Sequence, residues 1–313
     1  RGALCQADMS PIAFYEIERE WKNADQALAE GRKMLKRFQR EAPDGVPMLG
    51  QGIADPGMVD ARTGESFGAV HVPQWKGIFL KNLPPPDGRD KITVVRPAAF
   101  MKCQAECLLG NLKGIRDGAF IDLGMGIGAA IIAGGNILEG TRGLAGEFGH
   151  ICVQPHGKQC ACGASGCLET ESSGFAIMEA AKKLAAQNRI PHDSALYGRK
   201  SFEAEGIAKA AMGGDTFARQ LFAHAGEFLG YGLSSLVNLL NPQVLVLGGG
   251  LSSAGELLVE PVRKTMLIQS LMPARNQVEI RPSALANSQA GAIGAAATVI
   301  LSFLRSEGPQ SGC

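Results

Sequence analysis

The sequence carries no surplus of charge: 31 Lys and Arg against 30 Asp and Glu leave a net charge of +1. A basic face able to grip nucleic acid non-specifically is therefore not expected, and neither is direct DNA binding by this chain. Long hydrophobic runs are also wanting. The most apolar stretch, residues 291–304, falls short of the roughly 18 residues that a membrane-spanning helix needs, so no membrane association is expected. No charged-then-apolar leader opens the chain, no segment repeats at a fixed spacing, and no tract is of low complexity. What remains is an ordinary globular composition, 45% hydrophobic and 19% charged, with little room for long disorder. A chain of 313 residues exceeds the roughly 150 typical of one core, and two lobes are the expectation.

Disulfide frameworks belong to shorter, secreted chains, so the eight cysteines point to a reducing compartment and a cytoplasmic location. Cys5, Cys103, Cys107 and Cys313 are scattered and read as packing or surface residues. The other four crowd into GHICVQPHGKQCACGASGCLE, residues 149–169, with two of the five histidines.

Along the chain, apolar spacing predicts a helix over Asp25–Phe38 behind an Asp cap, closed by Pro43 and Gly45. A short strand in MLGQGIAD runs into a Pro-Gly turn and the hairpin-like DARTGES. A strand over Ile92–Arg96 leads straight into a helix over Ala98–Leu109, an α/β pattern. Two strands, Ala119–Leu123 and Ala129–Ala133, flank the turn GMGIG, an arrangement that excludes a dinucleotide fingerprint because no helix follows the glycines. Helices are expected at Gly174–Ala186, Phe202–Met212, Thr216–Leu240, Glu256–Met266 and Gln289–Arg305. Strands are expected at Val244–Gly250 and Val278–Arg281.

In the cysteine-rich stretch, Cys160, Cys162 and Cys167 have the short spacings that let one loop wrap a tetrahedral zinc, with glycines at 157, 163 and 166 allowing tight turns. His150 reaches back as fourth ligand, and His156 is its alternative. Cys152 alternates with His150 and is expected to point elsewhere. A redox-active or merely loop-borne thiol cluster is the competing reading. Glu147 and Glu169 flank the site, where carboxylates suit paired hydrogen bonds to neighbouring hydroxyls, such as those of a sugar, unless they are simply solvated.

The run GLAGEFGH followed by CxCGxxGCLE resembles the signature of the ROK family, sugar kinases and sugar-responsive repressors on a two-lobe, actin-like (ribonuclease-H-type) α/β fold. IADPGMVDARTGE is similar to the family's first-lobe turn, GMGIG to its second phosphate loop and PQVLVLGGGLS to its adenosine-side strand and turn. The resemblance implies a first lobe of residues 1–114, joined by a last helix at 289–306, and a second lobe of residues 115–288. It implies a structural zinc on His150, Cys160, Cys162 and Cys167, sugar contacts from Glu147, His150 and Glu169, and nucleotide-side glycines at Gly124, Gly126, Gly128, Gly248, Gly249 and Gly250. One ring nitrogen of His150 would serve the zinc and the other the sugar. Family members commonly form dimers or tetramers.

The chain departs from the kinase pattern in three places. The strip Glu-Asn-Asp-Ala-Asn that carries the family's general base corresponds to Arg96, Pro97, Ala98, Ala99 and Phe100, which puts the base at Ala98. An alanine accepts no proton, and loss of a positioned base costs about 10²- to 10⁴-fold in rate. The second phosphate loop has Met125 where a hydroxyl is usual. The first phosphate loop is not seen, because the sequence opens at what corresponds to a later strand, GALCQADM. Arg1 marks either a cut within a longer chain or a naturally short form, and family repressors carry a DNA-reading helix-turn-helix ahead of these strands. Asp55 and Asp122 are the candidate replacement carboxylates, each with a bland turn-capping alternative. Three functions follow: a catalytically silent sugar sensor of the repressor type, an ATP- and Mg-dependent hexose or N-acetylhexosamine kinase, and an interaction subunit that has lost its ligands.

Overall fold

The computed structural model describes residues 1–17, 23–69, 75–83 and 91–307. The chain forms two compact units, one of residues 1–114, 137–145 and 283–313, the other of residues 115–136 and 146–282.

The first unit opens with an antiparallel pair, β1 (Gly2–Cys5) and β2 (Pro11–Tyr15). Helix α1 (Ala24–Glu41) follows, and its cap is Asn23, whose side chain accepts from the Gln26 amide at 3.0 Å. Asp25 therefore sits inside the first turn and is not the cap; there its charge favours the helix N-terminus. Strand β3 (Gly50–Asp55) leads to the short hairpin of β4 (Met58–Val59) and β5 (Ser66–Gly68). Strand β6 (Ile92–Pro97) lies parallel to β3, with Asp55 opposite Pro97, and passes without a loop into α2 (Ala98–Leu109). Cys103 on α2 is fully buried and Cys5 and Cys107 are partly so, while Cys313 lies outside the described residues.

The second unit is built on one sheet in the order β11-β10-β7-β8-β9. Its hairpin of β7 (Gly118–Leu123) and β8 (Ile127–Ala133), with the short β9 (Asn136–Ile137), precedes the helices. These are α3 (Glu169–Ser172), α4 (Gly174–Ala186), α5 (Ala204–Met212) and α6 (Thr216–Leu240). Strand β10 (Val244–Gly248) is apolar throughout and wholly buried, as suits a central parallel strand; it runs parallel to β7 on one side and β11 (Glu279–Pro282) on the other. Helices α7 (Glu256–Gln269) and α8 (Met272–Arg275) lie between β10 and β11 in the chain. Asp215 caps α6 through the Ala218 amide at 2.8 Å, and Asn241 ends it in the left-handed conformation at φ 45°.

The last helix, α9 (Asn287–Glu307), belongs to the first unit. Contrary to the sequence expectation of no such run, its 19 residues Asn287–Arg305, with mean hydropathy 1.2, are long and apolar enough to cross a membrane. The shorter stretch counted from sequence stopped at Gly291 because the first turn, Asn287, Ser288 and Gln289, is polar; the apolar remainder carries the average past it. In the structure Ala290, Ile293, Ala295, Ala297 and Val299 are buried, and α9 packs on α2, β3 and β6 as a core helix. Among the described residues β1 pairs only with β2 and β3 only with β6. Both strands line a cavity of about 780 Å³ together with Met34, Phe38 and Ala295.

Residues 137–145 are tied into the first unit by two ion pairs. Arg142 Nε lies 2.9 Å from Asp60 Oδ2, and Arg96 Nη2 lies 2.9 Å from Glu139 Oε2. The Arg142 hydrogen bond, against the opposing effect of burial and aided by the Arg62 and Thr63 amides, holds the Asp60 carboxyl down to about 2.

Candidate functional site

The cysteine-rich loop begins where Phe148 and Leu168, both buried, anchor its two ends against α6. At Gly232 of α6 a side chain would crowd Leu168 Cδ2 at 2.7 Å and Phe148 Cζ at 2.9 Å, so the helix approaches the loop ends closely because it has none there. Truncating a core Phe such as Phe148 to Ala typically costs about 3–5 kcal/mol. Between the anchors the chain doubles back, with Leu168 N bonded to Ile151 O, Val153 N to Gly166 O and Gly166 N to Lys158 O, at 2.9, 2.9 and 2.8 Å. Gly166, at φ 72°, has no room for a Cβ beside the Gln154 carbonyl, so the crossing point requires glycine twice over.

This folding gathers His150, Cys160, Cys162 and Cys167, whose ligand atoms all lie within 4.8 Å of one another. Cys160 Sγ is 3.6 Å from His150 Nδ1, and Cys162 Sγ is 3.7 Å from Cys167 Sγ. A tetrahedral ion with bonds of about 2.3 Å has ligand–ligand edges of about 3.8 Å. The two measured edges match that figure, and three soft sulfurs with one imidazole are a metal-binding donor set, so these residues fit an ion. Burial, reinforced by the neighbouring thiols, pushes Cys167 up to about 12 without a metal, a proton that an ion must displace on binding. His156 is not in the cluster; it sits exposed in a turn at φ 61°. Cys152 is exposed and also outside the cluster.

Nδ1 of His150 is the ring nitrogen turned to the thiols. Glu147 precedes the single 3-10 turn Phe148–His150 that carries this histidine and is half-buried. Glu169, the first residue of α3, is buried, and its Oε2 accepts from the Ile127 amide at 2.8 Å. Sequence reasoning named Glu169 but not this bond, which joins α3 to the glycine-rich turn.

That turn, Gly124–Gly126, lies at the carboxyl end of β7, where open α/β sheets bind ligands. The amides of Gly174 and Phe175 at the start of α4 bond to the carbonyls of Gly124 and Met125 at 2.9 and 3.2 Å. Asp122 pairs with Gly128 across one side of β7 and with Gly248 across the other. Gly249, at φ 85°, brings β10 so close that a Cβ would stand 2.7 Å from Asp122 Oδ1. The structure thus brings together Gly124, Gly126, Gly128, Asp122 and the Gly248–Gly250 turn, which are far apart in sequence.

In the first unit, Ala98 opens α2 immediately after Pro97, which offers no side-chain cap. Asp55, opposite Pro97 on the next strand, is fully buried. Its Oδ2 accepts from Trp75 Nε1 at 2.9 Å and its Oδ1 from the Gly57 amide at 2.7 Å, with Ser66 also bonded. Burial raises its carboxyl above the ordinary range despite these donors. Nothing near Asp55 in sequence signalled Trp75 as its partner. Arg96 runs from the same junction to Glu139, with its guanidinium 5.6 Å from the Phe100 ring centroid.

Comparison with known proteins gives the family and the fold. Residues 12–301 match the ROK family. A glucokinase of Halalkalibacterium halodurans is 34% identical over 266 residues, 83% of this chain and 78% of that protein. The DNA-binding transcriptional dual regulator NagC of Escherichia coli is 29% identical over 291 residues, 90% of this chain and 67% of the regulator. The crystal structure of a ROK family glucokinase from Streptomyces griseus, in complex with glucose and AMPPNP, superimposes with a TM-score of 0.78 at 29% identity, covering 94% of this chain and 93% of that one. The fold is the actin-like one of ROK sugar kinases, relatives of both catalytic and regulatory kinds share it, and this chain belongs to the ROK family.

Proposed function

We propose that this chain is the zinc-braced, sugar-binding domain of a non-catalytic ROK protein of the transcriptional-regulator type. The observation that supports the reading is the junction of β6 and α2: the residue that the resemblance puts at the family's general base is Ala98, and the carboxylate across the strands, Asp55, has both oxygens occupied and no exposed surface. General-base catalysis requires a group within hydrogen-bond reach of the proton it removes. Neither residue meets that requirement.

In this reading zinc sits on His150, Cys160, Cys162 and Cys167 and braces the loop. Glu147, Glu169 and the Nε2 edge of His150 bind hydroxyls of a sugar or sugar derivative. The Ile127 amide donates to one Glu169 oxygen and so fixes the carboxylate beside the loop. The domain works in the cytoplasm as a dimer or tetramer, and any reading of DNA belongs to a separate segment.

The second reading, an ATP-dependent hexose or N-acetylhexosamine kinase, is favoured by one feature. Asp122 stands between Gly128 and Gly248 at the carboxyl end of β7, within the glycine elements that would face ATP and Mg.

The test measures zinc content, calorimetric sugar binding and sugar-dependent ADP release from Mg-ATP over a panel of hexoses and N-acetylhexosamines. One zinc per chain, saturable binding weakened at least about tenfold in Glu147→Ala, and no sugar-dependent ADP release are expected. Sugar-dependent turnover that disappears in Asp122→Asn would overturn the sensor in favour of the kinase.

A further inference from the structure

We propose that Glu171 is a positioning residue, a buried clamp that holds the metal loop to α6 and couples metal retention to the glycine-rich turn; this rests on the zinc reading above. Helix α3 is a single turn of four residues, too short to sustain itself by backbone hydrogen bonds. Each of its side chains is anchored instead. Glu169 takes the Ile127 amide at 2.8 Å, Thr170 Oγ1 donates to Cys167 O at 2.7 Å and Ser172 Oγ donates to Ala225 O on α6 at 2.8 Å. Glu171 Oε2 accepts from Lys158 Nζ at 2.7 Å, and His224 Nε2 of α6 lies 3.1 Å from the same oxygen.

The Glu171 side chain is 3% exposed, whereas Lys158 and His224 are 51% and 50% exposed. A carboxylate so deeply buried is costly unless paired, and an apolar residue of similar volume would fill the space without that cost. Its second oxygen, Oε1, has no hydrogen-bond partner among the described residues. The pair it makes is therefore better explained by what it holds than by what it adds to stability. Lys158 lies two residues before Cys160, and its carbonyl accepts the Gly166 amide, so fixing Lys158 fixes both limbs of the loop. Thr170, through the Cys167 carbonyl, holds the far limb from the same turn. Because Glu169 reaches Ile127 from the opposite side of α3, movement of the loop is transmitted to the glycine-rich turn.

The experiment uses the full chain with Glu171→Gln, Lys158→Met and the double substitution. It combines competition for zinc against a chromophoric chelator with hydrogen exchange at the Ile127 amide. Outer partners of metal ligands typically contribute about 10- to 100-fold to metal affinity. Each single variant is expected to lose zinc affinity in that range and to speed Ile127 exchange, and the double variant to be no weaker than the worse single. General destabilisation would instead give additive losses and leave Lys158→Met, at a half-exposed position, like the unchanged chain. Should Glu171→Gln fail to fold, Lys158→Met with unaltered zinc affinity still overturns the clamp. An unchanged chain that holds zinc while both singles match it sinks the clamp alone; one that takes up no zinc sinks the metal reading and the clamp together.

Discussion

The turn α3 and the β6–α2 junction are both short, yet they hold their side chains in opposite ways. On α3 every side chain has a defined partner, and the neighbouring loop gathers four residues that could hold a metal ion. At the junction Pro97 and Ala98 carry no hydrogen-bonding side chain, and Arg96 pairs with Glu139. The difference teaches that the two regions make different demands, because metal and hydroxyl recognition need several positioned donors whereas proton transfer needs one particular group in one place.

The largest effect that would sharpen this contrast lies on the loop side. Cys162 is exposed, so Cys162→Ser removes a ligand with little loss of packing. Zinc content measured by atomic emission is expected to fall from one per chain to near zero. Losing even about 3 kcal/mol of metal-linked stability lowers Tm by roughly 6–12 °C in a unit of this size. Retention of zinc and Tm would break the comparison, since the loop would then not depend on an ion.

A smaller effect is expected from the Asp60–Arg142 pair, which holds residues 137–145 in the unit that contains the junction. The folded carboxyl titrates at about 2, below its ordinary value of 3.8. A depressed carboxylate contributes stability that is fully present above the unfolded value and is lost as pH falls through 3.8 toward about 2. Arg142→Met should therefore lower stability most near pH 7, where the pair contributes in full, and flatten the acid limb between about pH 4 and 2 so that the two chains converge below it, as followed by circular dichroism. An unaltered acid limb would assign it to other carboxylates.

The smallest effect is expected at the junction itself. Ala98→Asp restores a carboxylate, and a positioned base is worth about 10²- to 10⁴-fold. With Pro97 beside it and Met125 in the glycine turn, sugar-dependent ADP release is expected to stay within about twofold of the unchanged chain. A rise of two orders of magnitude would show that the junction lacks only its base.

Much of this organisation was legible locally. The limits of α2, α4 and α6 coincide with those expected from apolar spacing and flanking breakers, since helix termini are set by residues within a turn of them. The cap of α1 was misplaced because Asn23 and Asp25 are both good caps, and which one has an extended backbone is decided by how the helix docks. The cluster was legible because three of its members fall within eight residues, and His150 was reachable because the loop must close on itself.

Sequence alone therefore determined the family and pointed to the His150, Cys160, Cys162 and Cys167 cluster and to Ala98, all of which reside in residue identity at short spacing. Tertiary structure alone decided that Asp55 is sealed by Trp75, that Asp122 lies between two glycine strands, that Glu139 and Arg142 return to the first unit, and that Glu171 meets His224 from 53 residues away. Those pairings depend on which elements the hydrophobic core brings side by side, and a carboxylate becomes acid, base, clamp or cap according to the donors and the dielectric it finds there.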